Sequence, residues 1–302
     1  MAHLASAFMV SPFDQAAVVS VDGFGDFVGA MWGVGRGNHL EAKEKIYFPH
    51  SLGLFYLAIT QWLGFTHYGD EYKVMGLAAY GEPAAQSEMR EMVKLNSSGQ
   101  FRLNLPFFLH QVHGASMTFD AGEPHMGLVF SPEMERLLGP RRAPGEPITH
   151  RHEQIAASLQ QRYEEAFLHL LNHVHAQVKI PYLCLAGGCA MNSVANGKIF
   201  NRTPFKEVYI QAAAGDAGGA IGAAFYVWNQ TLQHSRSFVL ENAYWGPQFS
   251  EAELSEAITS RNNELVKSNC KIEKIDDKIE LCRNTAQEIL SLIHISEPTR
   301  PY

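Results

Sequence analysis

Several features that would assign this chain to a functional class at once are missing from it. Its four cysteines, Cys184, Cys189, Cys270 and Cys282, keep no metal-ligand spacing, which leaves no basis for a zinc module or a disulfide framework. Cys184 and Cys189 share one strand–turn stretch, where the expected role is small-residue packing, and a reducing cytoplasm is the matching compartment. No apolar run approaches the roughly 20 residues that cross a bilayer. The opening residues MAHLASAFMVSPFD lack both the basic start and the apolar stretch of a secretory signal. Positive charge is also short: 24 Lys and Arg face 31 Asp and Glu, with no basic stripe to neutralise phosphates, so a nucleic-acid surface is excluded. There is no GxxxxGK[ST] loop. No GxGxxG opens a helix with an acidic residue downstream, so neither the P-loop nor the Rossmann signature applies.

What remains is an ordinary globular composition, 46% hydrophobic and 18% charged over 302 residues, enough for one large or two smaller domains. Gln15 to Val21, QAAVVSV, reads as a strand running into DGFGD, with a hairpin expected to pivot on Asp22-Gly23. Ser51 to Phe65 has helical spacing, with Ser51 as N-cap and Gly64 as the stop. Residues 100–147, rich in Pro, Phe, His and Gly, show little periodicity and predict a long excursion or small inserted lobe. From about His152 to Val178 one stripe gathers Ile155, Leu159, Tyr163, Phe167, Leu170 and Val174, the pattern of an amphipathic helix. Two strand–turn–helix units follow, IPYLCLAGGCAMNSVANGKI and EVYIQAAAGDAGGAIGAAFYVW. Strands alternating with helices predict an α/β fold. After Ser237 the texture turns charged and helical, with Ser250 and Glu253 forming a capping box.

The turns between those strands and helices are built from small residues. Glycine lets backbone approach a ligand, and the N–H groups at a helix start favour an anion such as phosphate. Asp216, alone in AAAGDAGG, cannot bind phosphate itself, but it can hold a bridging cation or orient a water. The competing role for Gly218 and Gly219 is close helix–strand packing. LAGGCAMNSVANG repeats the theme with Gly187, Gly188 and Asn192, and VDGFGD adds Asp22 at a third strand end. Three such ends with two aspartates point to a nucleotide or phosphate cleft. Fourteen histidines invite a search for a metal site as well.

The ordered blocks HLASAF, SPFDQAAVVSVDGFGD, SLGLFYLAITQWLGF, EYKVMGLAAYGEP, LAGGCAMNSVANGKI and AAAGDAGGAIGAA resemble the O-carbamoyltransferases of nodulation-factor and antibiotic biosynthesis. The resemblance runs from His3 to about Glu288. It implies the actin/hexokinase-like (ASKHA) ATPase fold, with two RNase H-like halves around a nucleotide cleft, similar to the tRNA threonylcarbamoyl-transfer subunit. It further implies a chemistry. A YrdC-like partner domain makes carbamoyl-adenylate from carbamoyl phosphate and ATP, and this domain passes the carbamoyl group to a hydroxyl on a sugar or natural product. Fe(II) or a similar divalent metal would be held by His3, Asp22 and Asp216, together with a histidine four positions before His3, outside this chain. Mixed His/Asp ligation suits Fe(II), Mn(II) or Zn(II). Gly187, Gly188, Asn192, Gly215, Gly218 and Gly219 are then candidates for binding ATP or the adenylate, with Asp22 and Lys73 as candidate catalytic groups.

Lys73, in EYKVMGLA, lies among apolar residues and needs an anionic partner, either the substrate's phosphate or carbamoyl group or a structural carboxylate. His39, His50 and His67 are candidates for an acceptor pocket or for plain surface positions, whereas His169, His173 and His175 belong to the face of the long helix. On this reading residues 1–236 are the catalytic domain, cut at its N-terminus. Residues 237–290 lead into the YrdC-like domain, and residues 291–302 resemble a translated sequencing-adapter tail. Two rivals stay open: a sugar or acetate kinase relative using Mg²⁺, and a non-catalytic nucleotide-binding module.

Overall fold

A computed structural model describes residues 1–115, 117–120 and 122–291, so the segment set apart as a non-native tail lies, from residue 292 on, outside the described residues. The chain forms two compact units, Met1–Ala243 and Tyr244–Tyr302. The first unit opens with α1 (Ala2–Phe8), then strands β1 (Gln15–Gly25), β2 (Val28–Arg36) and β3 (His39–Tyr47), and helices α2 (Leu52–Trp62), α3 (Glu71–Leu77) and α4 (Gln86–Met92). Short pieces follow: β4 (Val93–Leu95), β5 (Phe101–Leu103), α5 (His110–His113), β6 (Met117–Asp120), β7 (Glu123–Met126) and α6 (Pro132–Leu138). Then come α7 (His150–Val178), β8 (Tyr182–Ala186), α8 (Ser193–Asn196), α9 (Ile199–Arg202), β9 (Glu207–Ile210) and α10 (Ala217–Phe225), which continues into a π-helical turn over Tyr226–Thr231.

Five strands make the main sheet, in the order β3-β2-β1-β8-β9. The first three pair antiparallel as a meander, and β8 and β9 add to β1 in parallel. Burial on both faces explains why β1 and β8 read as unbroken apolar runs. Ala17, Val19, Val21, Leu183 and Leu185 point into a core with α2 and α7. The alternate residues Ala16, Val18, Cys184 and Ala186 point into a second core, with Leu4, Ala5 and Phe8 of α1. One sheet, buried between two helical layers, thus aligns the carboxyl ends of three parallel strands, where open α/β sheets place their ligand crevices. The resemblance implied two such halves; among the described residues there is one five-stranded sheet, and the other two sheets have two strands each.

The hairpin does not pivot on Asp22-Gly23. Its turn is Asp26-Phe27, both at positive φ (50° and 58°), with Gly25 paired to Val28. The ladder is irregular between Val21 and Gly25, so Asp22 and Gly23 lie in a bulge, a device that re-aims a side chain near a site. Elsewhere the local signals are realised. Ser51 caps α2 by accepting from Leu54 N at 3.0 Å, and Gly64 follows it at φ +79°. The long helix begins two residues before the predicted His152, at His150, inside a box formed by Thr149 and His152. Residues 237–243 pack with the first unit rather than leaving it: Leu240 N–H donates to Val10 O at 2.9 Å and Leu240 O accepts from Tyr209 Oη at 2.8 Å.

The second unit contains α11 (Glu251–Ser260), α12 (Asn262–Lys267) and α13 (Lys278–Leu290), none of which buries a residue. The Ser250–Glu253 capping box is formed. No helix among the described residues is long and apolar enough to cross a membrane.

Candidate metal centre

Three side chains from distant parts of the sequence meet at the carboxyl ends of β1, β8 and β9. His3 comes from the first turn of α1, Asp22 from the bulge in β1, and Asp216 from the residue that opens α10. His3 Nε2 lies 3.0 Å from Asp22 Oδ2 and 3.6 Å from Asp216 Oδ1, and one ligand atom from each of the three falls within 4.8 Å of the others. Asp22 and His3 are mostly buried, at 15% and 19% side-chain exposure, while Asp216 is 86% exposed, so the cluster opens to solvent on the Asp216 side.

Asp22 is held from three directions. Gly188 N–H donates to its Oδ1 at 2.9 Å. Ser51 Oγ donates to its carbonyl oxygen at 2.8 Å. Gly53, in the first turn of α2, lies so close that an added Cβ would stand 2.7 Å from Gly23 N. Gly187, at φ +86°, is packed against β1, where a Cβ would come within 2.2 Å of Val21 O, and its N–H donates to Ala214 O at 2.7 Å. The glycine turns after β8 and β9 are therefore tied to each other and to Asp22.

Electrostatics follow from this packing. Burial works to raise the Asp22 carboxyl, but the His3 hydrogen bond and the Gly188 and Gly23 amides outweigh it and hold the group below the usual carboxylate range. The hydrogen bond to Asp22 raises the His3 imidazolium above its ordinary value, against the opposing effect of burial, with Asp22 and Asp216 adding their negative charge. His3 Nδ1 is buried and has no hydrogen-bond partner. A divalent ion fits this set. Two atoms each about 2.1 Å from one ion stand about 3.0–4.2 Å apart, and one imidazole nitrogen with two carboxylate oxygens is a donor mixture for Fe(II), Mn(II) or Zn(II). Two carboxylates beside one imidazole also leave net negative charge for a cation to neutralise.

Residues 1–225 match the family model described as the carbamoyltransferase N-terminus. The chain belongs to this carbamoyltransferase family. It is 36% identical over 250 residues to nodulation protein NolNO of Sinorhizobium fredii, covering 82% of this chain and 33% of that protein. It is 35% identical over 257 residues to nodulation protein NolO of Bradyrhizobium diazoefficiens, covering 84% and 42%. An uncharacterised protein of Synechocystis sp. is 43% identical over 258 residues, covering 83% and 40%. The chain therefore spans less than half the length of these relatives.

The other predicted site residues of this family member fall into two groups. Gly188 and Gly215 border the His3–Asp22–Asp216 cluster: Cβ atoms built on them would meet Asp22 Oδ1 at 3.0 Å and Met191 Cε at 3.5 Å. Gly218 is buried against backbone, where a Cβ would stand 2.2 Å from Ala213 O, and Gly219 faces α1 with Ala2 Cβ at 4.0 Å. Asn192 is engaged within the protein. Its Oδ1 caps α8 by accepting from Ala195 N at 3.0 Å, and its amide exchanges two hydrogen bonds with Gln160, both at 3.0 Å. Lys73 pairs with Asp70 at 2.7 Å, the structural carboxylate that was one of its two expected partners. His50 Nδ1 accepts from Leu103 N, His67 faces Asp70, and His169 bonds Asn96 O. Sequence reasoning noticed Ser51 only as a helix cap and missed its grip on Asp22; no local pattern announces a side chain that reaches 29 residues back.

Proposed function

We propose that this chain forms the transfer site of an O-carbamoyltransferase, moving a carbamoyl group from carbamoyl-adenylate to a hydroxyl of a sugar or natural product. The observation that carries the reading is the meeting of His3, Asp22 and Asp216 beside the glycine turns after β8 and β9, in a chain of the carbamoyltransferase family. The sheet order supports the actin/hexokinase-like reading: a three-strand antiparallel meander continued by two parallel strands is the arrangement of one RNase H-like half.

Within this reading each residue has a task. When bound by His3, Asp22 and Asp216, a divalent ion such as Fe(II) supplies Lewis acidity at the carbamoyl carbonyl or the adenylate phosphate. His3 must be neutral to ligate, so the proton that Asp22 helps it keep has to leave first. Gly188 and Gly215 keep the backbone beside the cluster free of side chains where the nucleotide would approach, and Gly188 N–H orients Asp22 by fixing one of its oxygens. The YrdC-like domain is the proposed source of carbamoyl-adenylate, from ATP and carbamoyl phosphate.

The test supplies that intermediate. A separate YrdC-like protein generates carbamoyl-adenylate from ATP and labelled carbamoyl phosphate, in the presence of this chain, Fe(II) and a panel of mono- and oligosaccharides. Label should enter an acceptor hydroxyl as AMP accumulates, and His3→Ala should abolish both metal retention and transfer. Label that never reaches an acceptor would overturn the reading. ADP appearing with a phosphorylated sugar would make the protein a kinase instead.

A further inference from the structure

Asp22 is gripped by two separate elements, α2 through Ser51 and Gly53, and the turn after β8 through Gly188. Its carboxylate keeps one direction only if those two elements keep their places relative to each other. A buried side chain of α7 spans them. Gln160, 5% exposed, accepts through Oε1 from Tyr56 Oη of α2 and from Asn192 Nδ2, both at 3.0 Å. Through Nε2 it donates to Asn192 Oδ1 and to Glu164 Oε1, again both at 3.0 Å. Two N–H donors and two lone pairs are all that a glutamine amide has, so Gln160 is saturated.

The direction of each amide is set by a neighbour that can play only one role. Ala195 N–H only donates, so Asn192 turns its Oδ1 towards it, at 3.0 Å. The Glu164 carboxylate, paired with Lys198, only accepts, so Gln160 must present Nε2 there. Oxygen then meets nitrogen at both contacts between the two amides. A second hold on the same turn comes from Tyr163 of α7, 1% exposed, whose Oη donates to Cys189 O at 2.8 Å. Cys189 follows Gly188 directly, so the carbonyl that α7 holds and the amide that holds Asp22 lie on adjacent residues. The contacts close a circuit: Asp22 O to Ser51, along α2 to Tyr56, across Gln160 to Asn192, and back along the turn to Gly188 and Asp22 Oδ1. Packing alone is served as well by apolar side chains, whereas a saturated buried amide fixes one arrangement of the elements around it.

We propose that Gln160 is a positioning residue of the His3–Asp22–Asp216 cluster: together with Tyr163 it sets the place of Gly188 N–H, and through it the direction of the Asp22 carboxylate. The assignment rests on the reading of that cluster as a metal centre. With its amide spent on Tyr56, Asn192 and Glu164, Gln160 acts on Asp22 through α2 and the turn rather than by contact with an ion or a substrate. Asn192, a candidate for nucleotide binding in the sequence, is on this account a link in the frame around Asp22.

Gln160→Met keeps the length of the side chain and removes all four hydrogen bonds. Arg162→Met is the control: Arg162 lies two residues further along α7, is as buried at 6% exposure, and spends its bonds on Val93 O and Glu165. Two measurements on the full chain separate positioning from general support: amide hydrogen exchange at Gly188 without metal, and Mn(II) affinity by equilibrium dialysis. In Gln160→Met, Gly188 should exchange about 10-fold faster while the β8 amides keep their rates. Its Mn(II) Kd should rise about 10-fold, the lower end of what a lost support outside the ligand set costs. Arg162→Met should leave both within about two-fold of the parent, even where its urea midpoint falls as far. Tyr163→Phe removes one hydroxyl, keeps the ring stacked on Phe167, and should move both readouts the same way by less; it carries the test if Gln160→Met does not fold. Parent-like exchange at Gly188 in these variants would overturn the assignment, as would faster exchange with unchanged Mn(II) affinity. An equal effect from Arg162→Met would also overturn it, by making the loss one of overall stability. A parent that binds no Mn(II) would sink the metal reading itself, and the positioning role with it, however Gly188 responds.

Discussion

Two glycines three residues apart on α10 should respond oppositely to the same added methyl group. At Gly222 an added Cβ would stand 1.9 Å from Ala2 O and 2.8 Å from Ser6 N, all backbone of α1. No rotamer can relieve a clash with backbone, so α1 must retreat by about 1 Å to reach the 3.0 Å that real Cβ contacts respect. Overpacking of this kind costs about 1–3 kcal/mol, offset in part by the roughly 1 kcal/mol that Ala gains over Gly in a helix. Gly222→Ala should therefore destabilise the chain, by up to about 2 kcal/mol. At Gly219 the nearest atom is Ala2 Cβ at 4.0 Å, an ordinary contact, so Gly219→Ala should stabilise by about 0.4–1 kcal/mol.

The consequence for function is larger than the one for stability. His3 is the residue after Ala2, and its Nε2 is placed 3.0 and 3.6 Å from the two carboxylates. A 1 Å retreat of α1 changes those distances by about a third, and a misplacement of that size can cost about 100-fold at a reacting centre. Urea unfolding and Mn(II) titration on the same three proteins provide the assay. Wild-type Mn(II) affinity in Gly222→Ala would refute the claim that α10 positions His3 through this contact. A Gly219→Ala variant that keeps its stability but loses nucleotide affinity would instead assign Gly219 to ligand approach, the role that competed with packing.

Three further outcomes follow from the same geometry. Ser51→Ala loses both the α2 cap and the anchor on Asp22 O, and should cost about 1–2 kcal/mol in urea unfolding and weaken Mn(II) binding, whereas Ser51→Thr should keep both. Arg236 donates to the carbonyls of Phe8, Met9, Ser11, Phe13 and Gly37 and lies 4.2 Å over the Phe8 ring, so Arg236→Ala should destabilise by about 3 kcal/mol on the same measurement. Burial lowers the pKa of His50, His110 and His152 from the ordinary 6.5, so each is favoured neutral in the fold and takes up protons more readily when unfolded. Their contribution is complete above 6.5 and is lost as pH falls from that value through their lowered folded-state values; His3 and Glu71, with raised pKa, work in the opposite direction but are outnumbered. The urea midpoint should thus be lower at pH 5.5 than at pH 7.5, and a higher one would contradict the burial argument.

How much of this was legible in sequence depended on whether the signal was local. Ser51 before an apolar helical run, the stripe from Ile155 to Val174, and the Ser250–Glu253 box are signals within a few residues, and each element formed where its signal lay. The hairpin was misplaced because Asp22-Gly23 is a strong turn dipeptide, yet the pairing of Gly25 with Val28 put the turn at Asp26-Phe27 and turned Asp22-Gly23 into a bulge. His3, Asp22 and Asp216 were named together through family resemblance; nothing in their spacing alone relates residues 3, 22 and 216. Lys73 was readable as a cation in need of an anion, but that the anion is Asp70, one helical turn earlier, is a matter of side-chain direction. Asn192, likewise, could be recognised as polar at a helix start but not as the partner of Gln160, 32 residues away.

The long-range character of the site has a physical cause in α1. This helix is seven residues long, too short to be stable by itself, and it carries His3 in its first turn. Its position is set by groups more than 200 residues further on: Gln211 Nε2 donates to Ser6 O at 2.6 Å, Arg236 Nη2 donates to Phe8 O at 2.8 Å, and Gly222 admits the backbone of Ala2. Asp216 stands within the same stretch as those groups. Two of the three candidate ligands therefore belong to elements that hold each other in place, and the third, Asp22, belongs to the strand on which α1 packs. An ion shared by His3, Asp22 and Asp216 would tie the first helix to the last strand–helix unit of the domain. Its binding energy would then add directly to the stability of the fold, since an unfolded chain cannot bring these residues together.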